Sequence, residues 1–212
     1  ELIVFNTCLM AQAEVASQLQ GTGTSLVASQ SKLYGLGLPL AGWLQNLPGQ
    51  ADGPAAAAQL VQACAGVPER APAVSSIDLR RWPKLSQELD ELAGTILDHP
   101  ESAPTLRQHI LEQPKLWPHP LDRPLVDQLD IAGLCRSWHQ DESLPAELRQ
   151  QAGRVRDQVL SICQTSSQEA HGLSVYAPGR ALGGPVKDIY AALAFARETR
   201  WDEAFHRLTN NI

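Results

Sequence analysis

The distribution of apolar and polar residues predicts short strands that alternate with amphipathic helices. Residues 2–7 begin with the apolar run LIVF and stop at polar residues, a pattern typical of a strand buried on both faces. Residues 10–19 have a helical composition, with Val15 and Leu19 four residues apart, and a Gly-containing turn is followed by a second short strand near 24–29. Strand, helix and strand within about 30 residues predict a βαβ unit, in which the two strands are parallel.

The same alternation continues to the end of the chain. Pro54 in the first turn and Gly66 at the end delimit one helix. The other predicted elements are a short helix at 39–47, a strand at 71–79, helices at 83–99 and 102–113, an irregular Pro-rich segment at 114–125, helices at about 125–139 and 145–165, a strand at 171–179, and a final helix, turn and helix. The pattern predicts a single α/β domain over residues 1–212, with a mainly parallel sheet flanked by helices.

The first strand starts at the first residue, with neither an initiator methionine nor a polar lead-in. We therefore expect the chain to be the C-terminal part of a longer domain, whose N-terminal strands precede Glu1. A processed chain and a truncated one would look alike at this point.

Composition narrows the functional classes. The 212 residues are 43% hydrophobic and 19% charged, which is typical of a globular domain. The net charge is -6 and the 17 Lys and Arg residues are scattered, so we predict no nucleic-acid partner. No stretch approaches the roughly 18 consecutive apolar residues of a membrane span.

The four cysteines suit neither a zinc site nor a disulfide framework, because their spacings are wide and irregular. Cys64, Cys135 and Cys163 lie among apolar residues and are predicted to be packed in the core. Cys8 differs because it follows the first strand and precedes a helix. Nucleophiles of open α/β sheets lie at this edge, and a helix N-terminus favours a thiolate. Position alone leaves both a reactive and a packed Cys8 open.

A cysteine nucleophile normally needs a histidine base. His171 is the strongest of the six candidates, because it precedes Gly172 at the start of a predicted strand. In a parallel sheet, however, the start of a strand lies at the opposite edge from Cys8. We therefore predict that His171 is not the base.

Five segments, spread over the chain in order, resemble the clostripain family of cysteine peptidases, which has a caspase-like fold. The segment around Cys8 corresponds to a family strand that ends in Asp-Ala-Cys-Leu-Met. The five segments are FNTCLMAQAEVA, LVASQSKLYGLGLPLAGWL, AVSSIDLRRWPKL, HGLSVYAPG and YAALAFARETRWDEAF.

The resemblance implies a cysteine endopeptidase with Cys8 as its nucleophile. In the family the base belongs to a His-Gly pair upstream of the cysteine, so it would come from an upstream segment or a separate light chain. The oxyanion donors would be the backbone N–H of Cys8 and that of the upstream glycine. The substrate would be a peptide or protein, in a pocket shaped by Asn6, Thr7, Ser29, Gln30 and Ser31.

This chain departs from the family at the pocket. Relatives that cleave after Arg or Lys carry an acidic residue two positions before the cysteine, where this chain has Asn6. The acidic run that follows Ala-Ser is replaced by Gln30, Ser31 and Lys32. Leaving a guanidinium unpaired would cost several kcal/mol. We therefore predict that Arg/Lys specificity is weakened or lost, and that Asn6 and Gln30 hydrogen-bond a neutral polar side chain.

Two alternatives stay open. One is a non-catalytic relative, a pseudopeptidase that serves binding or scaffolding, and the other is an unrelated α/β domain with a packed Cys8. We predict no cofactor. Some relatives resemble calcium-dependent enzymes, but the densest carboxylate group, Asp122, Asp127 and Asp130, is interpreted as a solvated helix start. The resemblance implies a bacterial, secreted or periplasmic protein, whereas the sequence itself leaves the compartment open.

Overall fold

Two β-sheets, with helices packed around them, make up the part of the chain that the structure describes. In this computed structural model, the described residues are 1–113, 128–167, 170–177 and 185–209. The strands are β1 Leu2–Val4, β2 Ser25–Ser29, β3 Val74–Asp78, β4 Gln128–Asp130, β5 Cys163–Thr165 and β6 Ser174–Tyr176. The helices are α1 Ala13–Gln18, α2 Leu40–Asn46, α3 Gly53–Ala65, α4 Trp82–Asp98, α5 Ala103–Glu112, α6 Ile131–Gln140, α7 Ala146–Ile162, α8 Pro185–Ala191, α9 Ala194–Glu198 and α10 Trp201–Thr209. Leu79–Arg81 and Pro100–Ser102 are 3₁₀ turns.

The predicted βαβ unit is confirmed, because β1 and β2 are parallel neighbours joined through α1. The prediction of a mainly parallel sheet is wrong. The larger sheet has the order β1-β2-β3-β5, and β3 runs antiparallel to both β2 and β5. The direction follows from the connection: α2 and α3 bring the chain back to the end of β2, where Gln30 N–H donates to Ala73 O. The sheet is therefore mixed.

The smaller sheet pairs β4 and β6 in antiparallel fashion, with Leu129 opposite Val175. A parallel bridge between Gln12 and Ser174 connects it to the segment after β1. Ala11 links the two sheets, since its N–H donates to Ser29 O and its carbonyl accepts from Ser174 N–H. β6 therefore starts at the edge where β2 ends.

The main sheet separates two apolar cores. Side chains alternate along β2, so that Leu26 and Ala28 face the larger core, formed with α1, α4, α6 and α7. Val27 faces the smaller core, which includes Leu60 of α3 and Leu38. All five residues of β2 are buried, because β2 lies between β1 and β3. The prediction that the first strand is buried on both faces is wrong, since β1 lies at the end of the described sheet and Leu2–Val4 are only partly buried.

The sequence pattern missed β4 and β5. Both are three residues long and were assigned to the helices at about 125–139 and 145–165, whereas α6 starts at Ile131 and α7 ends at Ile162. The predicted irregular segment at 114–125 lies outside the described residues. Among the residues that are described, none of the helices has the length and apolarity to cross a membrane.

Candidate functional site

Cys8 lies in the turn that follows β1, at the edge where both parallel strands end. Its thiol accepts a hydrogen bond from Leu33 N–H at 3.3 Å and lies 3.9 Å from Leu33 O. Cys8 is partly exposed, and the preceding Asn6 and Thr7 are exposed. We call residues 6–9 and 31–38 the Cys8 site. α1 begins only at Ala13, so residues 9–12 separate the thiol from the helix that was expected to begin next to it.

The backbone just after Cys8 is strained. Leu9 has a φ of 61°, a left-handed conformation that costs an L-residue roughly 1–2 kcal/mol. Two hydrogen bonds hold it there: Leu9 N–H donates to Ser31 O, and the Gln12 amide donates to Leu9 O. Within the described part of the chain, the N–H of Cys8 donates no hydrogen bond. The turn thus presents a thiol and a neighbouring N–H donor at the surface.

The amide of Asn6 joins this turn to the loop after β2. Its Oδ1 accepts from Leu38 N–H at 2.8 Å. Because a backbone N–H can only donate, this bond fixes which amide atom is oxygen and leaves Nδ2 as the donor of the amide. Gly37 is packed closely here, since a Cβ on it would lie 2.2 Å from Asn6 Oδ1, and its φ is +70°. The Cys8 site therefore presents an amide donor at position 6.

The other three residues that the sequence assigns to the pocket are buried, and their side chains contact neighbouring segments. Ser29 Oγ bonds to Ala73 O and to Ser31. Gln30 is 0% exposed; its Nε2 donates to Asp130 and its Oε1 accepts from Gly172 N–H at 2.7 Å. In this conformation these side chains are engaged inside the fold, and Asn6 and Thr7 are the exposed members of the predicted set.

Asp130 is the centre of a buried polar network on the other face of the sheet. Its Oδ1 accepts from His171 Nδ1 at 2.8 Å and from Gly133 N–H, and its Oδ2 accepts from His171 N–H and Gln30. Burial raises the pKa of the Asp130 carboxyl, but the hydrogen bonds from His171, Gln30 and Gly133 outweigh it and leave the pKa below its ordinary value. Asp130 does cap a helix start, α6, but it is 6% exposed and so not solvated as predicted. Asp122 and Asp127 lie outside the described residues.

His171 does not lie at the opposite edge of the sheet from Cys8, so that prediction is wrong. β6 runs opposite to β2, and its start lies beside Gln30, just past the end of β2. The two sites are nevertheless on different faces, because Gln30 continues the alternation of Leu26 and Ala28, whereas Leu33 packs on the smaller core. His171 Nε2 faces the guanidinium of Arg136 at 2.8 Å. Since a guanidinium only donates, Nε2 is the acceptor of this bond, and Nδ1 is the donor to Asp130.

Arg70 contacts the loop of the Cys8 site, and the sequence pattern did not identify it. Its Nη2 donates to Gly37 O at 2.9 Å, and its carbonyl accepts from Tyr34 N–H. Its Nε is buried without a hydrogen-bond partner. Arg70 is far from Cys8 in sequence, within the connection to β3, and no pattern around it marks a site.

The remaining cysteines are free. Cys64 and Cys135 are buried, as predicted, whereas Cys163 is partly exposed. Burial raises the pKa of Cys64 to about 11 and also raises the pKa values of Cys135 and Cys163, so these three thiols stay protonated near neutral pH. Among the described residues, no three His, Cys, Asp or Glu side chains form a group that could hold a metal ion.

Solved structures with a similar fold are C11 cysteine proteases. A clostripain from Bacteroides thetaiotaomicron in complex with a peptide inhibitor superposes with a TM-score of 0.63 at 16% identity, over 94% of this chain and 86% of that one. An inactive zymogen C11 protease from Parabacteroides distasonis gives a TM-score of 0.67 at 17% identity, over 93% of this chain and 58% of that one. A cysteine protease from B. fragilis gives 0.56 at 16% identity, over 94% and 89%.

The share of each solved structure that this chain covers differs from one protein to the next. The chain spans 55% and 59% of two further structures of a secreted C11 protease from B. thetaiotaomicron, which matches its share of the zymogen. No protein-family model matches the sequence, and no curated protein matches it either. With identities of 15–17%, the likeness shows the fold: a helix-rich α/β arrangement with a mixed sheet, shared with C11 cysteine proteases.

Proposed function

We propose that this chain is the nucleophile-bearing part of a cysteine endopeptidase with Cys8 as the nucleophile. The observation that carries the proposal is the turn at Cys8. A partly exposed thiol and an unoccupied N–H lie on a strained backbone, in a fold shared with C11 cysteine proteases. Strained backbone in a turn is a common feature of active sites.

The chemistry follows from these groups. Cys8 Sγ attacks the carbonyl carbon of the scissile peptide, a C–S bond forms, and the carbonyl oxygen becomes an oxyanion that the N–H of Cys8 stabilises. The C–N bond then breaks, and the leaving amine takes the proton that the base removed from the thiol. Water hydrolyses the resulting thioester and regenerates the thiol.

The base is proposed to lie outside this chain, on an upstream segment or a light chain. Among the described residues, the thiol of Cys8 hydrogen-bonds with Leu33 alone, and His171 is engaged with Asp130 and Arg136 on the other face of the sheet. A base must come within hydrogen-bond reach of the thiol, about 2.6–3.2 Å for oxygen or nitrogen partners, which His171 does not do from that face.

We further propose that the enzyme lacks strict Arg/Lys specificity. Position 6 offers the substrate a neutral amide in place of a carboxylate, and the Oδ1 acceptor of that amide already bonds to Leu38 N–H, so a guanidinium or ammonium group meets no opposite charge there. The neutral Asn6 equally suits the alternative, a pseudopeptidase that binds peptides without cleaving them.

Hydrolysis of a fluorogenic peptide library by the complete protein separates these functions. We expect hydrolysis that Cys8→Ala abolishes and that Cys163→Ala, a substitution at the other partly exposed cysteine, leaves in place. Hydrolysis that persists in Cys8→Ala would remove the nucleophile proposal. Peptide binding without hydrolysis would favour the pseudopeptidase.

A further inference from the structure

The described segments around the Cys8 site contain more basic than acidic residues. The segments that form or touch it are residues 5–9, 29–40 and 67–73, and they contain Lys32, Arg70 and one carboxylate, Glu69. Glu69 is exposed and forms none of the ion pairs within the described residues. Arg70 is the cation of this set whose described contacts include no carboxylate, and a cation of this kind attracts anions.

Arg70 is the fixed charge of this group. Its carbonyl accepts from Tyr34 N–H, and its guanidinium donates to Gly37 O, so the residue is tied to the loop of the Cys8 site at two points. The charge also acts on Cys64 in the smaller core, where it partly opposes the rise in the thiol pKa that burial causes. Arg70 therefore lies on the α3 side of the sheet, the side on which Leu33 contacts Cys8.

The guanidinium of Arg70 lacks the partner that such a group usually has. Within the described part of the chain it forms a single side-chain hydrogen bond, to a neutral carbonyl, and its buried Nε has none. Arg70 as a whole is partly exposed, but a donor atom that is itself buried has lost its water and is costly to leave unpaired. An unsatisfied buried donor calls for an explanation, and a ligand that supplies the missing acceptor is one.

Gly37 connects this cation to the residue that flanks the nucleophile. Its carbonyl accepts from Arg70, and a Cβ on it would overlap Asn6 Oδ1. Asn6 and Arg70 therefore contact the same glycine. The amide Nδ2 of Asn6 and the guanidinium of Arg70 are both donors, and a carboxylate has only acceptors and can be held in bidentate fashion by a guanidinium.

We propose that Arg70 is a specificity-determining residue, which makes the Cys8 site select substrates with an acidic side chain, Asp or Glu, at the residue that precedes the scissile bond. The inference rests on the proposed peptidase function and adds the substrate class to it. Asn6 donates the second hydrogen bond to the same carboxylate.

Peptide binding to the complete protein with Cys8→Ala tests this without requiring turnover. Fluorescence polarisation compares labelled hexapeptides that differ only in having Glu, Gln or Arg at that residue. We expect the Glu peptide to bind about tenfold or more tightly than the Gln peptide, and the Arg peptide to bind most weakly. Arg70→Gln should remove the difference between Glu and Gln, while Arg70→Lys should keep part of it.

Arg80→Gln is the matched control. It removes the same charge at the far edge of the sheet, where Arg80 pairs with Asp78, and should behave as the parent protein. A purely structural role for Arg70 predicts that Arg70→Gln weakens the Glu and Gln peptides equally. That result, or tighter binding of Gln or Arg peptides to the parent, or no binding of any of the three peptides, overturns the inference.

Hydrolysis assays on the protein with Cys8 intact distinguish a failure of the Arg70 inference from a failure of the proposed peptidase function. Cleavage after neutral or basic residues would leave the peptidase proposal standing and contradict the role of Arg70. Peptide binding with the expected acidic preference, but without any Cys8-dependent hydrolysis, would contradict the peptidase and retain Arg70 as the recognition residue.

Discussion

Asn6 Oδ1 accepts a hydrogen bond from Leu38 N–H at 2.8 Å, and this bond joins the turn that carries Cys8 to the loop after β2. The loop in turn donates Leu33 N–H to the thiol and accepts from Arg70 through Gly37 O. The nucleophile and the charged side chain are therefore positioned by one loop. Changes to that loop should affect stability and substrate choice together.

Gly37→Ala should be clearly destabilising. The new Cβ would meet Asn6 Oδ1 at 2.2 Å, and a φ of +70° disfavours any residue with a Cβ. We expect the free energy of unfolding to fall by about 2–4 kcal/mol in urea titrations. Gly35→Ala is the control, because Gly35 has a φ of +58° but open space around it, and should cost about 1 kcal/mol. Equal losses in the two variants would contradict the close contact.

Asn6→Asp should change substrate choice more than stability. A carboxylate oxygen can still accept from Leu38 N–H, so the free energy of unfolding should change by less than about 1 kcal/mol. The new charge lies next to Gly37, the residue that Arg70 contacts, and should supply the missing partner of the guanidinium. In the peptide-binding assay, the preference for Glu over Arg peptides should fall or reverse. An unchanged preference would show that position 6 does not face the substrate side chain.

Asp130→Asn should destabilise the protein and flatten its acid sensitivity. The folded-state pKa of Asp130 lies below its ordinary value of 3.8, so the ionised carboxylate contributes stability above about pH 4 that is lost as the pH falls through the folded-state pKa. We expect a loss of about 2–4 kcal/mol at pH 7, because the amide would turn its N–H groups towards donors. Between about pH 4 and pH 2, stability should fall less steeply in the variant than in the parent. An unchanged slope would contradict the network.

Glu14 should show the opposite pH dependence. It is 6% exposed; its Oε1 accepts from Tyr176 N–H and Tyr190 Oη, and its Oε2 has no partner. Burial raises its pKa above the ordinary value of 4.5, against the opposing effect of the hydrogen bonds. Protonated Glu14 therefore stabilises the folded state. This contribution is fully present below about pH 4.5 and is lost as the pH rises through the folded-state pKa of Glu14.

Glu14→Gln mimics the protonated form and keeps the acceptor for both tyrosines. Its unfolding free energy should exceed that of the parent by about 1 kcal/mol at pH 7, and the difference should vanish near pH 4. Glu147→Gln, at an exposed glutamate of α7, should show little difference at either pH. A glutamine variant that is less stable than the parent at pH 7 would mean that Glu14 is ionised and paired there.

The sequence predicted the local structure well where a strand or helix has its own apolar pattern. β1 and β2 are examples, since both strands and the parallel pairing between them were predicted. The burial of β1 was not predicted correctly, because Leu2–Val4 lie at the end of the described sheet and are only partly buried. β4 and β5 were missed because three residues carry no period, and both are defined by partners far away in the chain. Gln164 of β5, for instance, pairs with Ser76.

Strand direction and the composition of the site depend on tertiary contacts. The antiparallel course of β3 follows from where α2 and α3 return the chain, which no local pattern encodes. The sequence predicts Cys8 and Asn6 as site residues because they follow a strand. It does not predict that the side chain of Gln30 hydrogen-bonds to Asp130 inside the fold. Nor could it foresee that Arg70 would contact Gly37.

If Cys8 is the reactive nucleophile, thiol labelling of the complete protein should identify it among the four cysteines. Treatment with a substoichiometric peptidyl acyloxymethyl ketone, followed by intact-mass and peptide mass spectrometry, should give a single adduct on Cys8. Cys8→Ala should lose that adduct, whereas Cys163→Ala should keep it, because Cys64, Cys135 and Cys163 have raised pKa values and react slowly. Equal labelling of the parent and Cys8→Ala would show that Cys8 is not the reactive nucleophile.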